Sequence, residues 1–565
     1  MRHIRKGLAV ILTVLMACLS VVGCGNAPSG ETGAIDSVKK VTTEDGKTIK
    51  TIKILGIDSS GTDDSGNTVY LSDWVNGDSK LWEKLTTDLE ERGIRLELDL
   101  IPGDQYDTVI QTQIAAGLDC DFVNITSVDS STRNSMIQQK KLLPINEIWD
   151  NYSNGNAKKY YTDGPGADCV KLSRQEDGNV YWLSAITVGD YKGSEWGSFT
   201  GAMIRQDWLN KLNLKMPQTT DELFDALKAF QEKDVNGNGE KDEVVNIGLD
   251  GFNNGIAQFF GLGTDICYID YETGKVNSPW YQEGIKDYIQ FMKELNDAGL
   301  LETSGQGDEK KAENKVSFMN NWMGETWEEA GIHVGEEEAA PYFVSLICQG
   351  VEGIDPLVVR QNGVQKGFYE YAVTSNADEE AIGILLDYLT TEEYSVLADY
   401  GIEDYTYRVN DEGKKAKITG SDISEVQIMS KIPALWVNDG ILPRYEKNDR
   451  VQELATIVEA GKSLGYSETG YAEKAAVLQD IYEHPEQYHF AVMELETNLA
   501  AATNEEVART VEIRTDLDTY YKELLTKLIL GQADMDDWDT YISDMKSLGL
   551  DELISIIQAR RDRLK

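Results

Sequence analysis

The stretch IKILGID at residues 52–58 is followed by two apolar segments of similar length, IRLELDL at 94–100 and DFVNIT at 121–126. Each of the three predicts a β-strand. Strand, helix, strand, helix, strand at these spacings predicts βαβ units with a parallel sheet, and therefore an α/β fold. The two predicted helices show apolar residues at helical spacing, namely Trp82, Leu85 and Leu89 in the first and Val109, Ile110 and Ile114 in the second.

A polar loop follows each of these strands. In parallel sheets, ligands bind outside the carboxyl ends of the strands, so a polar ligand is expected there. No phosphate-cradling GxGxxG or Walker sequence follows any of the strands, and nucleotide cofactors are therefore not predicted. The three loops are Asp58-Ser59-Ser60, Pro102-Gly103-Asp104 and Ser127-Val128-Asp129.

The pattern changes near residue 187. The segment from Thr187 to Thr200 is polar and rich in glycine, which suits a connection between domains or a binding loop. Residues 202–205 then predict a strand, and Thr219 to Glu222 form a capping box that opens a helix. A second domain is therefore expected to begin close to residue 200.

The sequence DVNGNGEKDE at residues 234–243 follows that helix and is typical of a calcium loop. Side-chain oxygens alternate along its first half, and Gly239 stands where such a loop must turn sharply. Val245 stands where an EF-hand places its closing Glu. The acidic pair Asp242 and Glu243 is therefore predicted to replace that Glu as a calcium ligand. A Ca²⁺ ion held in this way would be structural, and the alternative is an Asn-Gly surface turn. The predicted cage consists of Asp234, Asn236, Asn238, the carbonyl of Glu240, Asp242 and Glu243.

The chain is strongly acidic, with 97 acidic against 53 basic residues and a formal net charge of −44 over 565 residues. Its length predicts two or three domains. The negative field repels phosphate groups, which argues against nucleic acid or an anionic lipid surface as a partner.

The first 24 residues have the features of a bacterial lipoprotein signal peptide. A basic start that includes Arg2 and Arg5 precedes an apolar run from Leu8 to Leu19, which is too short to span a bilayer comfortably. The sequence VVGC, ending at Cys24, resembles a lipobox.

Residues 1–24 are therefore predicted to be a cleaved signal peptide, with Cys24 acylated as the first residue of the mature chain. The sequence LMAC, ending at Cys18, is a looser alternative. Residues 25–50 lack an apolar period and predict a flexible tether. The lipid is then the expected membrane attachment, on the extracellular face of the bacterial cell membrane.

The other cysteines lie far apart, without a CxxC pattern or paired histidines, so zinc and iron–sulfur sites are not predicted. Four cysteines allow three complete disulfide pairings, and the sequence does not choose among them. Isolated buried thiols are the favoured interpretation. These cysteines are Cys120, Cys169, Cys267 and Cys348.

The run IRQDWLNKLNLKMPQTTDELFDALKAFQEKDVNGNGEKDE at residues 204–243 resembles the extracellular solute-binding lipoproteins of carbohydrate ABC transporters. It is similar to the large alginate- and oligosaccharide-binding members, which carry a DxNxNGxxDE calcium loop after this helix. Cys120 departs from the family, which usually shows Pro at that position. Four further stretches agree with the same family: Tyr106 to Ile125, Lys315 to Ala330, Gly367 to Asp404 and Leu524 to Gln558.

The resemblance implies a type II periplasmic-binding-protein-like fold, in which two α/β lobes joined by a hinge close on a ligand in the cleft between them. The chain would cross from lobe 1 to lobe 2 between residues 186 and 195, return to lobe 1 near 343 and leave lobe 1 again near 410. Lobe 1 would then comprise 51–185 and 343–410. Lobe 2 would comprise 195–342 and 411–565, with the calcium loop at 234–243.

Eleven Trp and 27 Tyr give the chain many groups that suit sugar recognition, since pyranose faces stack on aromatic rings. Trp196 stands among small residues in GSEWG, where a large ring is hard to explain as core. The helical-face tryptophans Trp82, Trp149, Trp208 and Trp538 are instead expected in the core. The predicted ligand-contact residues are Trp196, Trp322, Trp327, Trp436, Tyr181 and Tyr191.

These observations predict a monomeric, non-catalytic protein that captures a carbohydrate, expected to be an oligosaccharide, for an ABC permease. A secreted glycoside hydrolase is one alternative, although acidic pairs are too abundant here to count as evidence and no GxSxG sequence is present. A calcium-stabilised surface adhesin is the other. The acidity argues against a strongly anionic uronate, unless basic groups such as Arg205 act locally.

Overall fold

A computed structural model of the protein describes residues 40–42, 48–62, 68–164, 166–188, 200–322, 343–360, 364–409, 415–417, 481, 484–492 and 495–565. The predicted signal peptide, including Cys24, lies outside the described residues, as does most of the predicted tether. The end of that tether needs correction, because Lys40–Thr42 pairs with Thr48–Lys50 in an antiparallel ladder. Regular backbone pairing therefore begins before Thr51.

The strands fall into two main sheets and several short ladders. In chain order they are β1 (Lys40–Thr42), β2 (Thr48–Asp58), β3 (Ser60–Thr62), β4 (Thr68–Tyr70), β5 (Ile94–Pro102), β6 (Phe122–Asn124), β7 (Trp182–Val188), β8 (Thr200–Arg205), β9 (Val244–Asn246), β10 (Tyr268–Ile269), β11 (Val276–Asn277), β12 (Val316–Trp322), β13 (Phe343–Ser345), β14 (Leu357–Arg360), β15 (Val364–Val373), β16 (Tyr407–Val409), β17 (Lys415–Lys417) and β18 (His489–Val492).

The described α-helices follow or connect these strands, and none of them combines the length and apolar character that a membrane span requires. They are Leu71–Asn76, Lys80–Glu91, Gly103–Ala116, Ser130–Gln138, Ile145–Tyr152, Asn156–Thr162, Ala167–Ser173, Gln206–Leu212, Thr220–Glu232, Ile256–Phe259, Ile285–Asp297, Gly307–Ala312, Glu379–Leu389, Glu392–Asp399, Asn504–Ile529, Trp538–Ser547 and Leu550–Asp562.

The first sheet contains the βαβ units that the opening stretch predicts. β2 pairs in parallel with both β5 and β6, as expected from the sequence. Alternate residues of β2 and β6 face opposite sides, with Ile54 and Phe122 in one buried cluster and Leu55 and Val123 in another. Both faces are covered, so the central residues of β2 and β6 are apolar on both sides.

A late segment of the chain completes this sheet. β15 inserts between β6 and β7 and is antiparallel to both, so that Tyr371 lies opposite Asn124 and Leu183. The sheet is therefore mixed rather than purely parallel. We refer to this sheet and the helices packed on it as the first lobe.

The second sheet has the order β13-β8-β12-β9 and a separate, larger core. The predicted capping box is present, since the Thr219 side chain accepts a hydrogen bond from the Glu222 N–H at the start of the helix Thr220–Glu232. Helices Gln206–Leu212, Thr220–Glu232, Ile285–Asp297 and Asn504–Ile529 contribute to this core. We refer to this sheet and these helices as the second lobe.

The predicted return to the first lobe near residue 343 is wrong. β13 pairs antiparallel with β8, placing Phe343 opposite Arg205 in the second sheet. The chain rejoins the first sheet with β15, which begins at Val364. β7 and β15 form an antiparallel ribbon in which Lys366 pairs with Ile186, and its register shifts between Lys366 and Glu370.

Another connection runs from β18 to the helix Asn504–Ile529, and the helix Leu550–Asp562 fastens it. Arg560 makes a two-point contact with the Glu496 carboxylate, at 2.9 and 2.7 Å, and its Nε donates to the Ala500 carbonyl at 3.0 Å. Arg561 donates to the Asn498 carbonyl at 3.0 Å. Because the 3₁₀ turn Leu495–Asn498 also contacts β15, these arginines fix a segment that touches the first sheet.

Candidate functional site

The carboxyl ends of β2, β5 and β6 lie at one edge of the first sheet and carry acidic side chains. Asp58 accepts hydrogen bonds from the backbone N–H and the hydroxyl of Ser72, at 2.9 and 2.7 Å. Asp129 caps the helix Ser130–Gln138, and hydrogen bonds from the Thr132 hydroxyl and N–H lower the pKa of its carboxyl. Asp104 stands in the first turn of Gly103–Ala116 and is exposed. This edge is polar, as the sequence predicted, and it is also acidic.

An arginine, a glutamate and a tryptophan meet beside the end of β6. The guanidinium of Arg133 forms an ion pair with Glu370 and lies 5.3 Å from the centre of the Trp182 ring. Both charged side chains are largely shielded, with exposed fractions of 12% for Arg133 and 15% for Glu370. The indole N–H of Trp182 is buried and makes no hydrogen bond to the described residues. Trp182 is 6% exposed and packs in the first-lobe core, so its ring backs the Arg133–Glu370 pair from inside the lobe.

Hydrogen bonds hold this group rigidly at the sheet edge. The Asn124 side chain accepts from the Thr126 N–H at 2.8 Å and donates to the Tyr371 hydroxyl at 3.3 Å. The Thr126 hydroxyl in turn accepts from the backbone N–H of Glu370 at 2.9 Å. The loop after β6 is thereby tied to β15. Because β15 and β7 continue from here into the ribbon that leaves the sheet, this edge lies at the root of the connection to the second lobe.

The end of the second sheet at which β8 begins and β12 ends carries the amide of Asn320. Trp322, at the end of β12, lies opposite Thr200, the first residue of β8 and the first described residue after the predicted crossing. Two residues earlier in β12, Asn320 donates from Nδ2 to the Asn253 carbonyl at 3.0 Å. Its Oδ1 is buried and has no hydrogen-bond partner among the described residues. An amide oxygen without a partner is available to a ligand hydroxyl.

Most of the predicted ligand-contact residues fall outside the described part of the chain, and their roles stay predictions. These are Tyr191, Trp196, Trp327 and Trp436. Trp322 ends β12, and its side chain also lies outside the description. Tyr181 is 7% exposed and packs in the first-lobe core, where its hydroxyl donates to Asp177 at 2.6 Å. Burial and the bond to Asp177 raise the pKa of Tyr181 to about 12. Its position gives no support to a ligand contact.

The tryptophans expected in the core are found there. Trp149 and Trp208 are each 2% exposed, and Trp82 and Trp538 pack against the two main cores. Arg133, Glu370 and Trp182 were not predicted as a group from the sequence. Trp182 adjoins Tyr181, a predicted ligand contact, and this was an available signal. Nothing in the sequence links Arg133 to Glu370, because the two are 237 residues apart.

The predicted calcium loop forms a tight hydrogen-bonded turn. Asp234 accepts from the N–H groups of Gly237 and Gly239, at 3.1 and 2.9 Å, and both glycines have positive φ angles of 79° and 90°. The side-chain oxygens of Asn236 and Asn238 each accept from the N–H two residues further on. The loop is thereby wound around its own side-chain oxygens, and the two glycines supply a conformation that other residues adopt only with strain.

Two acidic residues close this loop. Glu243 is 1% exposed, and its Oε1 accepts from the Asn236 N–H at 3.1 Å, while its buried Oε2 has no hydrogen-bond partner among the described residues. Burial raises the pKa of Glu243. Burial acts in the same direction on Asp242, but hydrogen bonds from Lys315, Asn238 and Asn236 outweigh it and lower the pKa of that carboxyl.

These residues fit a hard cation. A buried carboxylate oxygen without a partner is costly, and a Ca²⁺ ion would satisfy it. Among the described residues, no three His, Cys, Asp or Glu side chains converge on one point as a metal cluster. A cation in the loop would therefore also need the amide oxygens of Asn236 and Asn238 and a backbone carbonyl, which are ligands that Ca²⁺ accepts.

The described cysteines and His489 lie in packed or hydrogen-bonded surroundings rather than at either sheet edge. Cys120, Cys267 and Cys348 are free and buried, as favoured from the sequence, and burial raises the pKa of the Cys120 thiol to about 12. The side chain of Cys169 lies outside the description. His489 is the first residue of β18 and contacts Asp270 at 2.9 Å.

Comparison with characterised proteins supports the resemblance predicted from the sequence. FusA, a fructooligosaccharide ABC transporter substrate-binding protein of Streptococcus pneumoniae, is 25% identical over 586 residues, which cover 98% of this chain and 97% of FusA. YtcQ, a polygalacturonan/rhamnogalacturonan-binding protein of Bacillus subtilis, is 24% identical over 58% of this chain and 62% of its own length. The lipoprotein LipO of Bacillus subtilis is 32% identical over 18% of this chain and 20% of its own length. No protein-family model matches the chain.

Solved structures share the fold. FusA of Streptococcus pneumoniae in complex with kestose aligns with a TM-score of 0.62 at 19% identity, covering 91% of this chain and 99% of FusA. An EF-hand mutant of FusA, in complex with fructo-nystose, gives the same values. The alginate-binding protein AlgQ2 without calcium ion aligns with a TM-score of 0.58 at 19% identity, covering 91% of this chain and 98% of AlgQ2. The two-lobe α/β fold of substrate-binding proteins is therefore confirmed for this chain.

Proposed function

We propose that the protein captures an oligosaccharide between its two lobes and delivers it to an ABC permease. The observation that carries this proposal is the similarity to FusA, a fructooligosaccharide ABC transporter substrate-binding protein, over nearly the whole of both chains. The Arg133–Glu370 pair stands at the sheet edge nearest the connection to the second lobe, where the first lobe would meet the ligand. These relatives are substrate-binding proteins, in agreement with the expectation from the sequence that the chain is not an enzyme.

The mechanism that follows is a population shift between an open and a closed arrangement. A saccharide that contacts both sheet edges gains more contacts when the lobes close, so it favours the closed form by that difference in affinity. The β7–β15 ribbon is the proposed hinge, since its register shift between Lys366 and Glu370 interrupts the ladder at the root of the connection.

The anchor, the location and the calcium ion complete the proposal. Acylation at Cys24 would hold a monomeric protein on the extracellular face of the bacterial membrane, and similarity to the lipoprotein LipO over part of the chain supports an anchor. The loop at 234–243 would hold a structural Ca²⁺ ion through Asp234, Asn236, Asn238, the Glu240 carbonyl, Asp242 and Glu243. The Oε2 of Glu243, which has no hydrogen-bond partner among the described residues, supports this, as does an EF-hand in FusA.

Calorimetric titration of residues 25–565 against a panel of oligosaccharides tests the function. We expect stoichiometric binding of at least one oligosaccharide, with no change in the sugar after prolonged incubation. Release of shorter sugars would support the glycoside hydrolase alternative instead. Absence of binding across neutral and acidic panels would contradict the proposal.

Substitution of one predicted aromatic contact separates binding from folding. Trp196→Ala should weaken saccharide binding by about tenfold or more, while the free energy of unfolding without ligand changes by less than ~1 kcal/mol. Trp208→Ala is the contrasting variant, because Trp208 is 2% exposed in the second-lobe core and its loss should cost about 3–5 kcal/mol of stability. Calorimetry and urea denaturation on both variants measure these effects. A large stability loss with unchanged affinity in Trp196→Ala would place that residue in the core.

A further inference from the structure

The charge of the ligand depends on which cations at the two sheet edges are free to bind an anion. Recognition of a uronate carboxylate usually requires a guanidinium with two adjacent N–H groups available, or an ammonium group. The described residues provide Arg133 at the first-lobe edge. Arg205, the basic group that the sequence suggested, ends β8 at the opposite end from Thr200 and so lies away from the second-lobe edge.

Most N–H groups of Arg133 already donate to protein acceptors. Its Nε donates to the Val128 carbonyl at 2.7 Å, and its Nη2 donates to the carbonyls of Ile125 and Thr126 at 2.7 and 3.2 Å. Its Nη1 is paired with Glu370. Of the five N–H donors of a guanidinium, four are therefore occupied, and no adjacent pair is left for a ligand carboxylate.

Arg205 is a structural group of the second lobe. It is 2% exposed, and Asp207 accepts from its Nε and Nη2 at 2.8 and 2.6 Å while Asn314 accepts from its Nη1 at 2.6 Å. Its guanidinium lies 3.9 Å from the centre of the Trp208 ring, and Phe343 flanks it at 5.6 Å. A buried, paired and stacked arginine is not available to a ligand.

Carboxylates outnumber cations at the first-lobe edge. Asp58 ends β2, Asp104 and Asp129 follow β5 and β6, and Glu370 lies on β15, the strand that pairs with β6. Among the described side chains, Arg133 is the cation that lies with these four carboxylates. A ligand carboxylate brought to this edge would be repelled and would lose its hydration without gaining a partner. Sugar hydroxyls, in contrast, donate hydrogen bonds to carboxylates.

We infer that the ligand is an uncharged oligosaccharide and that the site discriminates against uronate-containing oligosaccharides. The inference rests on the proposed function and specifies its substrate class. Glu370 acts here as a specificity-determining residue, because it occupies Arg133, the cation that the described residues place at this edge.

The test is calorimetric titration of residues 25–565 with neutral fructo-, gluco- and galacto-oligosaccharides and with oligogalacturonates of matched length. The tightest neutral ligand should bind at least about 100-fold more strongly than any oligogalacturonate. Its affinity should also change little between low and high salt, since no ligand charge is involved. Tighter binding of an oligogalacturonate would overturn the inference and leave oligosaccharide capture intact. Absence of binding by both classes would overturn the proposed function and the inference together.

A matched pair of variants tests the role assigned to Glu370. Glu370→Gln keeps the side-chain shape and an acceptor for Nη1 of Arg133 but removes the charge that neutralises the guanidinium, so the ratio of neutral to uronate affinity should fall by about tenfold. Asp207→Asn similarly weakens the pairing of Arg205 inside the second lobe and should leave this ratio unchanged. Thermal unfolding of both variants checks that they are folded. An unchanged ratio in folded Glu370→Gln would contradict the role of Glu370.

Discussion

Calcium at about 10 mM should raise the free energy of unfolding by about 2.7 kcal/mol over the value in chelator, for a site with a Kd near ~10⁻⁴ M. The physical reason is the carboxylate of Glu243, which is 1% exposed and leaves Oε2 without a hydrogen-bond partner in the described structure. An ion that supplies the missing partner binds the folded protein only, so its binding energy adds to stability. Thermal and urea unfolding in calcium and in chelator measure the effect.

Two neighbouring substitutions make this test specific. Glu243→Gln removes the charge but keeps the shape, and it should abolish the calcium response without destabilising the protein in chelator. Glu240→Gln is the control, because only the backbone carbonyl of Glu240 is a predicted ligand and its side chain is exposed. That variant should respond to calcium as the unmodified protein does. A melting temperature that chelator leaves unchanged would reduce the loop to a simple turn.

Replacing Arg560 by Ala should destabilise the protein by about 2–3 kcal/mol. Arg560 is 6% exposed, and it joins the Glu496 carboxylate to the Ala500 carbonyl in the segment after β18. Removing the Arg560 side chain leaves the Ala500 carbonyl oxygen without its hydrogen-bond donor. It also leaves a gap beside the helix Leu550–Asp562. The midpoint of urea denaturation reports the loss.

Arg509 offers a control with similar contacts but different surroundings. It makes a two-point contact with Glu552, with both distances at 2.6 Å, and its side chain is 39% exposed. Water screens such a pair, so Arg509→Ala should leave the urea midpoint nearly unchanged. Equal effects of the two substitutions would show that burial does not distinguish these pairs, contrary to the prediction.

Local features of the fold were predictable from the sequence. The strands at 52–58 and 94–100, the helix between them and the capping box at Thr219 follow from residue periodicity and short-range hydrogen bonds, which need no knowledge of the rest of the chain. The turn at 234–243 was also predictable from local sequence, because its hydrogen bonds are made almost wholly among its own residues.

Long-range pairings were not predictable in this way. β13 joins the second sheet through β8, and β15 inserts between β6 and β7, although nothing in the residues of these strands specifies such partners. The first-lobe site depends on this insertion, because Glu370 reaches Arg133 only once β15 is in place. Tyr181 was proposed as a ligand contact from its type and context, yet a strand covered on both faces packs its aromatic residues internally.

The position of β15 also constrains the order in which the protein can fold. Until β15 has been synthesised, the edges of β6 and β7 lack their partner, since Asn124 must wait for Tyr371, which is 247 residues further along the chain. Contacts of such separation slow folding and leave strand edges exposed in the meantime. An isolated fragment of residues 51–185 is therefore expected to aggregate. A polypeptide that stays incompletely folded until most of its length has been made is also well suited to passage through a membrane channel before it folds.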